Sequence, residues 1–228
     1  MNQSLNRDDA AGSSRRVPAP VRPDVARVLK RGIDVVVAFL VLMLLAPVMV
    51  LVAILIRFTM GRPVLFRQVR PGYCARPFAL YKFRTMHQAT GPDGRLLPDG
   101  DRLTRLGRFL RKTSLDELPQ LWNVLRGELS LVGPRPLLTQ YLPLYTPEQA
   151  RRHQVRPGIT GLAQVNGRNS LDWDEKFRLD VWYVDHWSHW LDFKILVVTV
   201  VKVFRREGVS GGGTETMTPF QGSTGMNP

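Results

Sequence analysis

The chain has 228 residues, enough for about one domain, and 44% of them are hydrophobic, which excludes wholesale disorder. A single cysteine, Cys74, excludes an intramolecular disulfide framework and a thiolate cluster for zinc or iron–sulfur. Lys and Arg number 32 against 19 Asp and Glu, a formal net charge of +13, which admits nucleic acid, an anionic membrane surface or a phosphorylated substrate as partner.

Residues 1–24 are polar and rich in Ser, Pro and Arg, and read as a disordered lead. From Val35 to Ile56 run 22 consecutive uncharged residues, long enough to cross roughly 30 Å of hydrocarbon as a helix. Basic residues stand on both sides of this run: Arg27, Lys30 and Arg31 before it, Arg57, Arg62, Arg67 and Arg70 after it. The positive-inside rule favours such residues on the cytoplasmic side alone. Residues 25–60 are therefore expected to form a re-entrant helix–break–helix that enters and leaves by one face, with Pro47 at the bend; a single kinked span is the alternative.

Residues 61–206 carry the remaining structure. PVLFRQVR and ARPFALYKFRT are two β-prone runs around Pro71-Gly72, a hairpin. HQATGPDGRLLPDGD is expected as a loop. In LTRLGRFLRK, Leu103, Leu106 and Leu110 fall at helical spacing among basic residues, which fits an interfacial amphipathic helix or an ordinary core helix equally. LPQLWNVLRGELSLV is expected as a helix running into the Gly133-Pro134-Arg135-Pro136 turn, and another helix starts at Thr146-Pro147. RPGITGLAQVNGRN reads as a Gly-rich loop and DWDEKFRLDVWYVDHW as a helix capped by Asp172. WLDFKILVVTVVKVF carries Asp192, Lys194 and Lys202 and is a core or interfacial helix, and residues 207–228 are a flexible tail. The fold class is mainly α with a small β-hairpin, on a monotopic membrane protein.

The chemistry concentrates in a few places. Asp116 and Glu117 sit at the start of a helical segment, where the helix dipole favours ionised carboxylates. Ser114 and Glu117 also match a capping box, which would make Glu117 structural; the other reading makes Asp116 a nucleophile at phosphorus and Glu117 a Mg²⁺ ligand. Arg135, stiffened between Pro134 and Pro136, suits bidentate phosphate recognition. Lys82 and Arg84 of YKFRTM, together with Arg156 and Arg168 of the Gly-rich segment, are further phosphate-binding candidates, beside the option of plain surface residues. His186 and His189 have a spacing compatible with metal, but their Trp-rich setting favours a structural role.

Taken in order, KRGIDVVVAFLVLMLLAPVMVLVAI, GRPVLFRQVRPG, YKFRTM, LTRLGRFLRKTSLDELPQLWNVLRGELSLVGPRP, RPGITGLAQVNGR and LDVWYVDHWSHWLDFKIL resemble a bacterial sugar transferase, from about Val28 to Phe204. The resemblance is to the monotopic polyprenyl-phosphate phosphoglycosyltransferases, which initiate exopolysaccharide, O-antigen or glycoprotein glycan assembly. It implies a re-entrant anchor, with Ala46-Pro47 where some members carry Ser-Pro, and a catalytic dyad at Asp116 and Glu117. It implies a UDP-sugar donor, an undecaprenyl phosphate acceptor, a covalent phosphosugar–Asp116 intermediate and Mg²⁺ on Glu117. Arg135, Arg84, Arg111 and Lys112 would then neutralise phosphate charge. The implied location is the cytoplasmic face of the bacterial inner membrane. Of the +13, +10 lies between Arg57 and Lys112, next to the membrane segment, so nucleic acid is not expected as a partner; a homo-oligomer is left open.

Overall fold

The computed structural model describes residues 24–91, 94, 97–167, 170–205 and 218–223. The expected disordered lead up to residue 23 and most of the expected tail lie outside the described residues, as does Arg168.

Helix α1 spans Val25–Met60 and is capped by Asp24, whose carboxylate accepts a hydrogen bond from the Arg27 amide at 2.8 Å. Its length and composition suffice to cross a membrane, and only 11% of its most apolar stretch is buried by protein. Leu44 is 76% exposed, and Phe39, Leu40, Met43, Val50 and Leu51 are exposed with it. Apolar surface of that extent is what a bilayer covers, so the chain is a membrane protein. The helix does not end at Pro47: residues on both sides belong to one continuous element, because proline removes one donor and the neighbouring turns keep theirs.

Both ends of α1 are tied to the same body. At the first end, Asp34 is buried and accepts from Ser130 Oγ at 2.7 Å and the Leu131 amide at 3.2 Å. Arg31 donates to the carbonyls of Val124 and Leu125. At the far end, Val52, Ile56 and Met60 pack with Phe83 and Leu110, and the Arg84 guanidinium donates to the carbonyls of Met60 and Arg62.

The hairpin forms as expected: β1 (Leu65–Pro71) pairs antiparallel with β2 (Pro77–Phe83), with Val69 opposite Ala79. The expected loop after it contains a short helix α2 (Asp99–Arg102). Helix α3 (Arg105–Lys112) is capped by Thr104 and buries Leu110 against α1 while Phe109 stays exposed. Gly107 is where α3 crosses the chain after β2; a Cβ there would lie 1.9 Å from the Thr85 carbonyl oxygen.

Helix α4 (Gln120–Leu125) is shorter than the expected helix, and the chain turns at Gly127 into β3 (Ser130–Val132). Asn123 of α4 is fully buried and holds the edge of β2, donating to the Ala79 carbonyl and accepting from the Tyr81 amide. Helix α5 (Pro147–Ala150) starts at Thr146 with a capping box to Gln149.

The segment expected as a Gly-rich loop is instead β4 (Gly158–Thr160), parallel to β3, followed by α6 (Leu162–Asn166). Its glycines are needed for close approach: a Cβ on Gly158 would meet the Gly133 amide nitrogen at 2.1 Å. Helix α7 (Trp173–His186) carries the expected Asp172 cap.

Helix α8 (His189–Arg205) buries Ile195 and Asp192 and exposes Trp190, Phe193, Val197 and Val200. Asp192, an apparent blemish on an apolar run, accepts from Lys30, Tyr183 and Trp187 and so ties α8 to α1 and α7. The main core joins Ala38 of α1 to Leu121, Val124, Leu131, Tyr183 and Ile195.

Candidate active site

The acid dyad lies on a single 3-10 turn, Leu115–Glu117, between α3 and α4. The chain enters it through Ser114 in the left-handed conformation (φ 57°, ψ 16°), and the Ser114 side chain makes no capping hydrogen bond. The capping-box reading of Ser114 and Glu117 is therefore corrected: a left-handed residue cannot hold the extended geometry that an N-cap needs.

Glu117 has other partners. One of its oxygens, Oε1, accepts from Lys82 Nζ at 2.6 Å and from Arg135 Nη2 at 2.7 Å. Lys82 comes from β2, held in register by Asn123, and Arg135 comes from the loop that Gly133 and Gly158 pack down. Burial by itself would raise the Glu117 carboxyl, but the charges of Arg135 and Lys82 and their hydrogen bonds reverse this and hold it well below the usual carboxylate range. The Arg135 guanidinium is raised in return, chiefly by the Glu117 charge.

Asp116 is treated oppositely. It is buried, and among the described residues no hydrogen bond ends on it. Burial, with the Glu117 charge second, pushes its carboxyl up to about 6, against the opposing pull of Lys82, Arg135 and Arg111. Among the described residues its oxygens carry no hydrogen-bond donor that an incoming electrophile would have to displace.

The dyad opens on a cleft of about 1400 Å³. Its polar part includes Lys82, Arg111, Arg135, Arg70, Arg152 and Lys176; its apolar part includes Val37 and Val41 of α1 and Leu196 and Val200 of α8. Burial, and next the neighbouring charge of Arg135, lower the Arg70 guanidinium to about 10. Beneath them Arg152 is buried, pairs with Asp180 at 2.6 Å and donates to the Arg135 carbonyl at 2.7 Å.

Of the candidates read from sequence, Asp116, Glu117, Lys82, Arg111 and Arg135 meet around this cleft. Arg84 lines it too, but its terminal nitrogens are engaged by the end of α1. Lys112 is exposed on the outer side of α3 and is not part of the cleft wall. Arg156 is exposed elsewhere, donating to the Gly127 carbonyl and lying 5.6 Å from the Tyr73 ring. His186 stacks on Trp182 and His189 meets Trp187 edge-on. Arg70, Arg152, Lys176 and Asp180 line the cleft as well, and sequence reading does not mark them as site residues. Asp180 had a legible signal, an acid on the stripe Phe177, Asp180, Val181 and Val184 that α7 buries.

A partly buried acid dyad, one member clamped by two cations and the other without a hydrogen bond among the described residues, at the mouth of a cleft beside a membrane helix marks an enzyme's functional site. Residues 25–206 match the bacterial sugar transferase family. The uncharacterized sugar transferase EpsL of Bacillus subtilis (strain 168) is 55% identical over 196 residues, covering 86% of this chain and 97% of EpsL. A UDP-glucose:undecaprenyl-phosphate glucose-1-phosphate transferase of Caulobacter vibrioides is 49% identical over 181 residues, 75% of this chain and 68% of that protein. One of the same name from Escherichia coli (strain K12) is 42% identical over 197 residues, 79% of this chain and 41% of that protein. The chain belongs to the bacterial sugar transferase family and is a transferase.

Proposed function

We propose that the enzyme transfers a sugar 1-phosphate from a UDP-sugar to undecaprenyl phosphate, yielding undecaprenyl-diphosphate sugar and UMP, as the first membrane step of a surface glycan. The observation that carries this reading is the bare, buried Asp116 beside a Glu117 whose charge Lys82 and Arg135 neutralise. The relatives' names supply the substrate class.

In this mechanism an Asp116 carboxylate oxygen attacks the β-phosphorus of the donor. The bond from that phosphorus to the oxygen shared with the α-phosphate breaks, and UMP leaves with the electron pair. The phosphosugar is then an acyl phosphate on Asp116. A phosphate oxygen of the lipid acceptor attacks the same phosphorus and releases the Asp116 carboxylate.

An anion attacking an anion needs compensation. Lys82, Arg135, Arg70 and Arg111 supply positive charge fixed in advance around the dyad. Among the described residues no three His, Cys, Asp or Glu side chains converge as a metal cage. Mg²⁺ is nevertheless usually bound by one or two carboxylates with substrate phosphates and water, and the adjacent carboxylates fit that pattern, since Glu117 keeps acceptor capacity beyond the oxygen that Lys82 and Arg135 share. Glu117, with Asp116 beside it, would hold the ion, which when bound offsets phosphate charge.

The cleft runs from this cationic end to the apolar side chains of α1 and α8, which suits an acceptor whose phosphate lies at headgroup depth and whose chain lies in lipid. Because Asp34 and Met60, at opposite ends of α1, are both tied to the catalytic body, we read α1 as entering and leaving by one face of the inner membrane. The basic flanks make that face cytoplasmic.

The test is UMP release from a panel of UDP-sugars by the solubilised enzyme with undecaprenyl phosphate and Mg²⁺. Release with at least one sugar is expected; no release with any of them would overturn the reading.

A further inference from the structure

Residues 218–223 pack against the body of the protein, behind the wall of the cleft. Phe220 is only 4% exposed. Its ring centroid lies 5.8 Å from that of Tyr141, 6.1 Å from Tyr145, 5.4 Å from Trp173 and 5.0 Å from Phe177. Polar ties flank it on both sides. Trp173 Nε1 donates to the Thr218 carbonyl at 3.0 Å. Ser223 Oγ donates to Asp174 at 2.9 Å and accepts from Gln149 at 2.7 Å.

Two of the rings that Phe220 packs against have a second role. Tyr141 and Trp173 also line the cleft that holds Glu117 and Arg135. Lys176, one turn along α7 from Trp173, lines it as well, with Nζ 5.1 Å from the Trp173 centroid. The segment thus backs an aromatic and cationic wall whose other side faces the substrate space. Tyr141 and Trp173 come from separate stretches of chain, with Trp173 at the first turn of α7, and Phe220 packs against both, which restricts how either ring can turn. Gln149 of α5 and Asp174, next to Trp173 in α7, share Ser223.

We propose that residues 218–223 form a latch that positions Trp173, backed by the buried Tyr141 ring, against a ring of the donor, with Phe220 as the central positioning residue. The inference rests on the UDP-sugar reading above. Uracil and a pyranose both pack on aromatic faces, and the test separates them. Phe220 touches no reacting atom; it acts through Tyr141 and Trp173.

The experiment compares the full-length protein with Phe220→Ala, Phe220→Tyr and a chain ending at Met217. Affinity for UDP is measured by calorimetry. The KM for the UDP-sugar that the wild type turns over and the KM for undecaprenyl phosphate are measured by UMP release. Phe220→Ala and the shortened chain should weaken the donor side at least tenfold while the acceptor KM changes less than twofold. Phe220→Tyr should stay within threefold of wild type, and a synthetic peptide of residues 216–225 should restore the shortened chain. Weakened UDP binding assigns the wall to uracil; unchanged UDP binding with a raised UDP-sugar KM assigns it to the pyranose. Donor parameters that do not move, or that move in step with the acceptor KM, overturn the latch while leaving the transferase reading intact. A wild type that neither binds UDP nor turns over a UDP-sugar overturns both.

Discussion

Asp116 and Glu117 are neighbours in the chain, yet the fold places their carboxylates in opposite electrical settings. Glu117 shares one oxygen between Lys82 and Arg135, whereas Asp116 is buried and receives no hydrogen bond among the described residues. One carboxylate is held ionised, and the other sits near the edge of ionisation. Two acids pushed apart in this way have separate tasks.

Asp116 must be ionised to attack, and its carboxyl titrates at about 6, raised by burial and by Glu117 against Lys82, Arg135 and Arg111. Donor kcat/KM should therefore fall as pH drops through about 6, not through the ordinary carboxylate value near 4. A raised carboxyl binds a proton more tightly in the folded state, so this group costs stability as pH rises from about 4 to 6. Asp116→Asn should then be more stable than wild type at pH 7.5, by roughly 2–3 kcal/mol, keep about half of that advantage at pH 5 and lose it only below about pH 4. Thermal unfolding in detergent at the two pH values checks this, and an equal difference at both would contradict it.

Lys82 and Arg135 act on the same oxygen, so their substitutions should not add. Lys82→Ala or Arg135→Ala alone should lower kcat/KM by about 10²–10³-fold, as loss of one preorganised charge commonly does. The double variant should be much less impaired than the product of the two losses, because either loss already disturbs Glu117. Steady-state UMP release from the three variants provides the measurement.

Arg152 and Asp180 form a buried ion pair under the Arg135 loop. Removing one partner leaves a buried charge, and Arg152→Ala should destabilise the protein by about 3–5 kcal/mol. Replacing both with apolar residues, Arg152→Met with Asp180→Leu, should recover most of that stability. Activity should not return with it, since the Arg135 carbonyl has lost its donor. Melting curves set beside UMP release separate the two effects.

The way α1 sits in the membrane is also open to direct measurement. Single cysteines replacing Arg27 and Arg62, in a background with Cys74→Ser, should both react with an impermeant maleimide from the cytoplasmic side. Labelling from opposite sides would show a spanning helix.

Much of this architecture is legible before any coordinates. The uncharged run from Val35 to Ile56, the Asp172 cap, the Thr146 start and the hairpin all rest on local signals that operate within a few residues. What escapes is non-local. Strands β3 and β4 are three residues each, too short for periodicity, and form only because Gly133 and Gly158 let two distant backbones touch. Ser114-x-x-Glu117 reads as a capping box because the motif is local, while the real partners of Glu117 lie 35 and 18 residues away. Arg84 and Arg156 show the converse limit: a basic residue in a promising motif can serve a carbonyl instead of a phosphate.

The central claim is that Asp116 carries the phosphosugar. The enzyme, mixed with a donor it turns over and no lipid acceptor, should release about one UMP per molecule. It should also gain the mass of one phosphosugar, mapped by peptide mass spectrometry to Asp116 and absent from Asp116→Asn. Release of UMP only when undecaprenyl phosphate is present, with no adduct at any time, would contradict the account and require direct transfer between the two substrates.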